Sequence, residues 1–150
     1  MEYRVLCIGK IKDTFYKDAV CGYCRQIQKG NNGIEIIEFP DEKIPEHLKE
    51  KSKEMFLEKE CRRLEQKISG KDYVIALCIE GKEMTTNQHR EYVRKAVENG
   101  YETITYIIGG SLGLPEKIKK RADLKLSFSK MTFPHQLMRM VLCEEIANII

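Results

Sequence analysis

Apolar residues come along this chain in short bursts, separated by longer stretches with helical spacing. Residues 3–8 are mostly apolar, few, and stopped by Gly9, which is the pattern of a buried strand. From Asp13 to about Gln28 the spacing predicts a helix with Phe15, Ala19 and Tyr23 on its apolar face. The Gly30-Asn31-Asn32-Gly33 cluster reads as a turn. Residues 34–39 read as a second strand, ended by Pro40. A charged loop over residues 41–46 leads into a long helix from His47 to about Ser69. There Leu57, Cys61, Leu64 and Ile68 form one narrow apolar stripe, and the Lys and Glu residues are a solvated face. Gly70 is read as the residue that ends this helix.

Residues 73–79 make a third strand, apolar on both faces and therefore expected to be central and parallel. Thr86 or Asn87 is expected to cap a helix that runs to about Asn99, with His89, Val93, Ala96 and Val97 inward. Residues 103–108 are a fourth strand, 115–121 a short helix and 124–128 a fifth strand. Pro134 stands where a proline opens a helix, and residues 135–150 form that last helix. Strands alternating with helices predict an α/β fold: a mostly parallel sheet with helices on both faces. With no internal repeat, low-complexity stretch or linker, residues 1–150 are read as a single domain.

Composition narrows the class without choosing a function. The 150 residues are 42% apolar and 33% charged, a globular balance rather than a disordered one. A net charge of +3 neither identifies nor forbids a nucleic-acid partner. There is no apolar run of membrane-spanning length and no leader pattern at Met1, so a cytoplasmic protein with no membrane partner is expected. The six cysteines are then expected as free thiols. Cys21-Gly22-Tyr23-Cys24 has the spacing of a redox or zinc pair, but it lies in a predicted helix and no second pair exists. It is read as small apolar filler, and no metal is expected.

In an open α/β sheet, ligands gather beyond the carboxyl ends of the strands. Three such ends are unusual: Leu77-Cys78-Ile79-Glu80-Gly81-Lys82, Ile108-Gly109-Gly110-Ser111-Leu112-Gly113-Leu114-Pro115, and Phe128-Ser129-Lys130-Met131-Thr132-Phe133-Pro134-His135. The glycines allow backbone to approach a ligand. Their spacing fits neither a dinucleotide fingerprint nor a P-loop. Spacing leaves two readings of the last segment open. It could hold a flat heterocycle, with Leu77 and Met131 in apolar contact, or it could be an ordinary strand-to-helix loop capped by Thr132.

The segments I-I-G-G-S-L-G-L and L-S-F-S-K-M-T-F-P-H-Q-L-M-R resemble the central motifs of the ribosomal RNA large subunit methyltransferase H family. The segments V-L-C-I-G-K-I-K, I-E-F-P-D-E-K and L-C-I-E-G-K resemble it too, in the same order across nearly the whole chain. The resemblance implies a SPOUT, or α/β-knot, methyltransferase with a C-terminal trefoil knot. It implies S-adenosyl-L-methionine as cofactor, a homodimer, and N3 of a pseudouridine in large-subunit rRNA, free or within the ribosome, as target. It places the cofactor on Leu77, Gly109, Phe128, Ser129, Lys130, Met131, Thr132 and Phe133.

Methyl transfer needs an aligned acceptor and the loss of the N3 proton. His135 is the candidate base or substrate-orienting group; the alternative is a helix-start residue that only packs locally. Arg139, one helical turn on, is the second candidate, for an rRNA phosphate or a partner-subunit carboxylate. Lys10, Lys12 and Lys82 near strand ends are weaker candidates for phosphate contacts. The last helix is apolar around most of its circumference, which by itself predicts a cover such as a second subunit.

Family members carry a Tyr-Arg pair where this chain has Ala147-Asn148, followed by a Tyr-His tail. The roles of those residues pass to no residue here. An active rRNA methyltransferase and a shortened, impaired homologue that folds, dimerises and binds cofactor or RNA are thus both expected readings.

Overall fold

The computed structural model describes residues 1–41, 50–110 and 112–150. The elements are β1 (Glu2–Ile8), α1 (Thr14–Lys29), β2 (Gly33–Phe39), α2 (Glu50–Glu65), β3 (Asp72–Glu83), α3 (Thr86–Glu98), β4 (Thr103–Ile108), α4 (Glu116–Arg121), β5 (Leu124–Ser127) and α5 (His135–Ile149). The loop expected over residues 41–46 and the helix start at His47 lie, apart from Asp41, outside the described residues, as does Ser111.

The five strands form one parallel sheet in the order β2-β1-β4-β3-β5. Side chains alternate across it, as a pleated strand requires. Val5, Cys7, Ile75, Ile104, Tyr106 and Ile108 face one layer, where they meet Ile27 of α1, Val93 and Ala96 of α3, and Leu142, Ile146 and Ile149 of α5. Leu6, Ile8, Val74, Ala76 and Ile107 face the other, against Cys61 and Leu64 of α2 and Ile118 of α4. Two apolar faces on one strand are what a doubly covered parallel sheet demands. Each fully buried Leu or Ile here stabilises by roughly 1.5–3 kcal/mol, so Ile107→Ala would cost about 2–5 kcal/mol.

Several local expectations are corrected. The cap of α3 is Thr85, one residue before Thr86. Its Oγ1 accepts from Gln88 N at 3.2 Å while Gln88 Oε1 accepts from Thr85 N at 2.9 Å, a reciprocal pair contributing about 1 kcal/mol. Val97 is 45% exposed, whereas His89, Val93 and Ala96 are buried. On α1 the inward residues are Val20 and Ile27, and Phe15 is 71% exposed. Helix α2 ends at Glu65 rather than near Gly70, because Lys67 N and Ile68 N already bond three residues back and tighten the chain into a turn.

Strand β3 sits between β4 and β5, inside the sheet but off its centre, and runs past Ile79 to Glu83 through an irregularity. Leu77 pairs with Leu126, and after a bulge Lys82 pairs with Leu126 again. Gly81 permits this, since a Cβ there would lie 2.8 Å from the Leu126 backbone.

The cysteines are free. Cys21 is exposed on α1. The Cys143 thiol of α5 donates to the Cys24 sulfur, which holds Cys24 below the usual thiol range and pushes Cys143 up. Cys24 therefore partners Cys143 rather than Cys21. Burial pushes Cys7 up to about 11. No described helix is long and apolar enough to cross a membrane.

Candidate active site

Three bends at the carboxyl edge of the sheet enclose a cleft. The first follows β4. Gly110 and Gly113 bridge each other, Gly113 N donates to Gly110 O at 3.0 Å, and Gly113 takes the left-handed backbone at φ +78°. A Cβ on Gly109 would sit 2.7 Å from the Gly113 carbonyl carbon, and one on Gly110 would sit 2.8 Å from Ile8 Cγ2. Only glycine lets this loop fold onto itself and onto β1. The obstacle to a side chain at Gly109 is therefore the loop's own backbone rather than a ligand.

The second bend follows β5. Ser127 Oγ donates to Ser129 O and Met131 N donates to Ser129 Oγ, both at 3.0 Å, which folds residues 127–131 tightly. Pro134 then occupies the cap position of α5, and no side chain caps that helix, so Thr132 is not its cap. The third bend is the bulge of β3, which turns Leu77, Cys78, Ile79 and Glu80 toward the other two.

The cleft measures about 760 Å³. Of the residues expected at a site, the structure brings together Leu77, Gly109, Phe128, Ser129, Met131, Thr132, Phe133 and His135 on its walls. Met131 is 72% exposed and forms the rim.

Two expected residues fall elsewhere. Lys130 is exposed and does not line the cleft, because the tight turn around Ser129 carries it outward. Arg139 does not share the cleft with His135 either. It is buried, its Nη1 donates to Glu38 Oε2 at 2.7 Å and its Nη2 to Gly9 O at 2.9 Å. Its two terminal nitrogens are thus held within its own chain, while Nε has no hydrogen-bond partner among the described residues. Lys82 donates to Tyr92 Oη at 3.0 Å, away from the cleft.

Sequence reasoning gave no site role to several lining residues, Met138 and Lys119 among them. Met138 lies one turn along α5 from His135. Lys119 of α4 forms an ion pair with Glu80 at the cleft edge, and their hydrogen bond raises the lysine pKa and lowers that of the carboxylate. Nothing in the spacing signals Lys119, since α4 and the β3 bulge meet only in three dimensions.

The cleft suits a small, partly flat organic molecule. Its volume lies in the usual range for such sites. Leu77, Ile108, Leu114, Phe128 and Met138 supply apolar surface, and the glycine loop brings bare backbone to the wall. A doubly covered parallel sheet with such a cleft beyond its strand ends defines an open α/β protein, a class whose ligands gather at the carboxyl edge.

Within that class the chain belongs to the SPOUT methyltransferase family. A family model described as "Predicted SPOUT methyltransferase" matches residues 1–148. The chain is 44% identical over 146 residues to Ribosomal RNA large subunit methyltransferase H of Leuconostoc citreum, covering 97% of this chain and 91% of that one. It is 43% identical, with the same coverage, to the protein of that name from Streptococcus uberis. It is also 43% identical to Ribosomal RNA large subunit methyltransferase H 1 of Thermoanaerobacter pseudethanolicus, covering 97% and 94%. A crystal structure of a methylase family protein from Neisseria gonorrhoeae superposes with a TM-score of 0.57 at 10% identity, covering 97% of this chain and 81% of that one. At that identity the likeness speaks for the fold alone.

Proposed function

We propose that this protein is an S-adenosylmethionine-dependent methyltransferase acting on N3 of a pseudouridine in large-subunit ribosomal RNA. The observation that carries the reading is the convergence of the Gly109–Leu114 loop and the Phe128–Phe133 turn on one cleft. The names of the relatives supply the substrate class.

S-adenosylmethionine supplies a sulfonium-bound methyl group open to in-line displacement. The protein's own part is to bind, to orient and to accept a proton. Leu77, Ile108 and Phe128 offer apolar walls for a heterocycle, while the backbone of Gly109 and of residues 128–133 offers hydrogen-bonding edges. His135, at the first turn of α5, lines the same cleft. Its imidazole is a side chain able to accept the proton that the acceptor N3 must lose. Walls that exclude water favour the aligned arrangement, since positioning is the main requirement of this displacement.

The reading includes a homodimer, a C-terminal trefoil knot and a cytoplasmic location. Apolar side chains left open on Phe15, Met131, Val141 and Ile150 support a subunit interface, and sedimentation velocity would test it. The family assignment supports the knot.

Incubation of the protein with tritiated S-adenosylmethionine and ribosomes lacking the modification tests the whole reading. Tritium is expected on one pseudouridine, and calorimetric binding of the cofactor is expected to vanish in Thr132→Trp, which fills the cleft from an exposed position. Cofactor binding without transfer to ribosomes would favour the impaired homologue instead. Undiminished binding in Thr132→Trp would remove the cleft from consideration.

A further inference from the structure

Arg139 stands out because its charge is buried and does not face the cleft. Its side chain is 2% exposed, and it reaches elements more than a hundred residues earlier in the chain. A buried ion pair is a weak source of stability, since desolvation offsets most of its attraction. What this pair does achieve is geometric. Glu38 Oε2, held by Arg139 at 2.7 Å, also accepts Ile11 N at 2.8 Å. Arg139 Nη2 holds Gly9 O at 2.9 Å, and Gly9 N donates to Phe39 O at 2.7 Å. Gln136, on the same helix, accepts both Lys12 N at 2.9 Å and Asp13 N at 3.1 Å. The loop between β1 and α1 is thus tied, through its backbone, to β2 and to the first turn of α5. Gly9, at φ +103°, makes the turn into it.

We propose that Arg139, with Glu38 and Gln136, is a positioning residue that fixes this loop as a basic lip for the RNA backbone beside the cleft. Lys10 and Lys12 are the two phosphate-gripping groups. Both are exposed, and neither ammonium meets a carboxylate among the described residues. The acidic neighbours of the lip are Glu38, neutralised by Arg139, Asp13 at its end, and Asp41, whose Cβ lies near Gly9. Because His135 lines the cleft and Gln136 holds the lip, one helical turn sets the position of both. The inference rests on the methyltransferase reading and extends it to where the RNA strand lies.

Steady-state methylation of ribosomes at saturating cofactor tests it, with calorimetry of the cofactor in parallel. Lys10→Ala with Lys12→Ala is expected to raise KM for the ribosome about tenfold, with kcat within twofold and cofactor affinity unchanged. The slope of log KM against log salt should fall by about 1–2 as two phosphate contacts are lost. Arg139→Gln is expected to raise KM by a similar factor, and adding both lysine changes to it should raise KM little further, because the three act through one lip. Arg139→Lys should fail to restore KM, since a lysine cannot span Glu38 and Gly9 O together. Should Arg139 variants not fold, Gln136→Ala, a half-buried site, must show part of the same KM increase. Additive effects of Arg139→Gln and the lysine changes would overturn the proposal, as would an unchanged KM and salt slope in the lysine variant. Absence of transfer by the wild-type protein would instead strike at the methyltransferase reading itself.

Discussion

The two ends of the one sheet carry hollows of nearly equal size and opposite character. At the amino edge a space of about 790 Å³ is bordered by Ser69, Lys71, Asp72, Asn99, Gly100, Tyr101, Glu102 and Thr103, against about 760 Å³ at the carboxyl edge. Volume does not distinguish them. At the amino edge the polar groups are committed to one another. Asp72 is buried, and its Oδ2 accepts Ser69 N at 3.0 Å and Thr105 Oγ1 at 3.2 Å, with Arg4 Nη1 at 3.7 Å. Arg4 donates to Lys67 O, and Arg121 to the carbonyls of Ser69 and Asp72. The carboxyl edge uses its hydrogen bonds to shape loops and leaves apolar side chains and bare backbone toward the space. One edge spends its polar groups on holding the fold; the other is the edge proposed above to receive the cofactor.

The comparison can be broken in three ways. The largest effect is expected from Asp72→Ala. Removing a buried carboxylate that gathers two donors and a guanidinium should cost about 3 kcal/mol, read by urea unfolding, while cofactor affinity of the folded protein stays the same. Next comes Thr132→Trp, which should weaken cofactor binding at least about a hundredfold, roughly 2.7 kcal/mol, and leave the unfolding midpoint in place. If either variant altered both quantities, the division of labour between the edges would not hold. Gly110→Ala should do some of each, because its new Cβ meets Ile8 at 2.8 Å. A destabilisation of about 2 kcal/mol is expected, with cofactor affinity lowered as the glycine loop shifts.

The smallest effect concerns neither edge. His89 is buried between α3, β4 and α5, with Nε2 2.7 Å from Tyr106 Oη and Nδ1 3.4 Å from Glu145 Oε2. The tautomer that serves both carries its hydrogen on Nδ1 and accepts the tyrosine hydroxyl at Nε2. Burial pushes its pKa below the 6.5 of a free imidazole, although Glu145 pulls the other way and Arg90 adds to the lowering. Below pH 6.5 the unfolded chain therefore binds the proton more readily than the folded one. This contribution to stability is complete above that pH and is lost as pH falls toward the lower folded value. His89→Gln should flatten that part of the stability profile, measured by thermal melts between pH 5 and 7.5, without moving cofactor affinity.

Much of this protein was legible in the order of its residues. Local signals determined the five strands and five helices, since apolar bursts bounded by glycine and proline reflect short-range sterics and burial. The family motifs pointed to the Gly109 and Phe128–Phe133 bends, because close backbone approach leaves glycine no substitute. Where the reading went astray, the deciding forces were long-range. The exposure of Phe15 followed from which face of α1 met α5, and the extension of β3 followed from Leu126 lying against Gly81. The departure of Arg139 from the cleft was decided by a carboxylate 101 residues away. Helical spacing tells which side chains share a face of one helix. Only the packed structure decides what that face meets, because the free energy of burying a charge depends on partners brought together from distant parts of the chain.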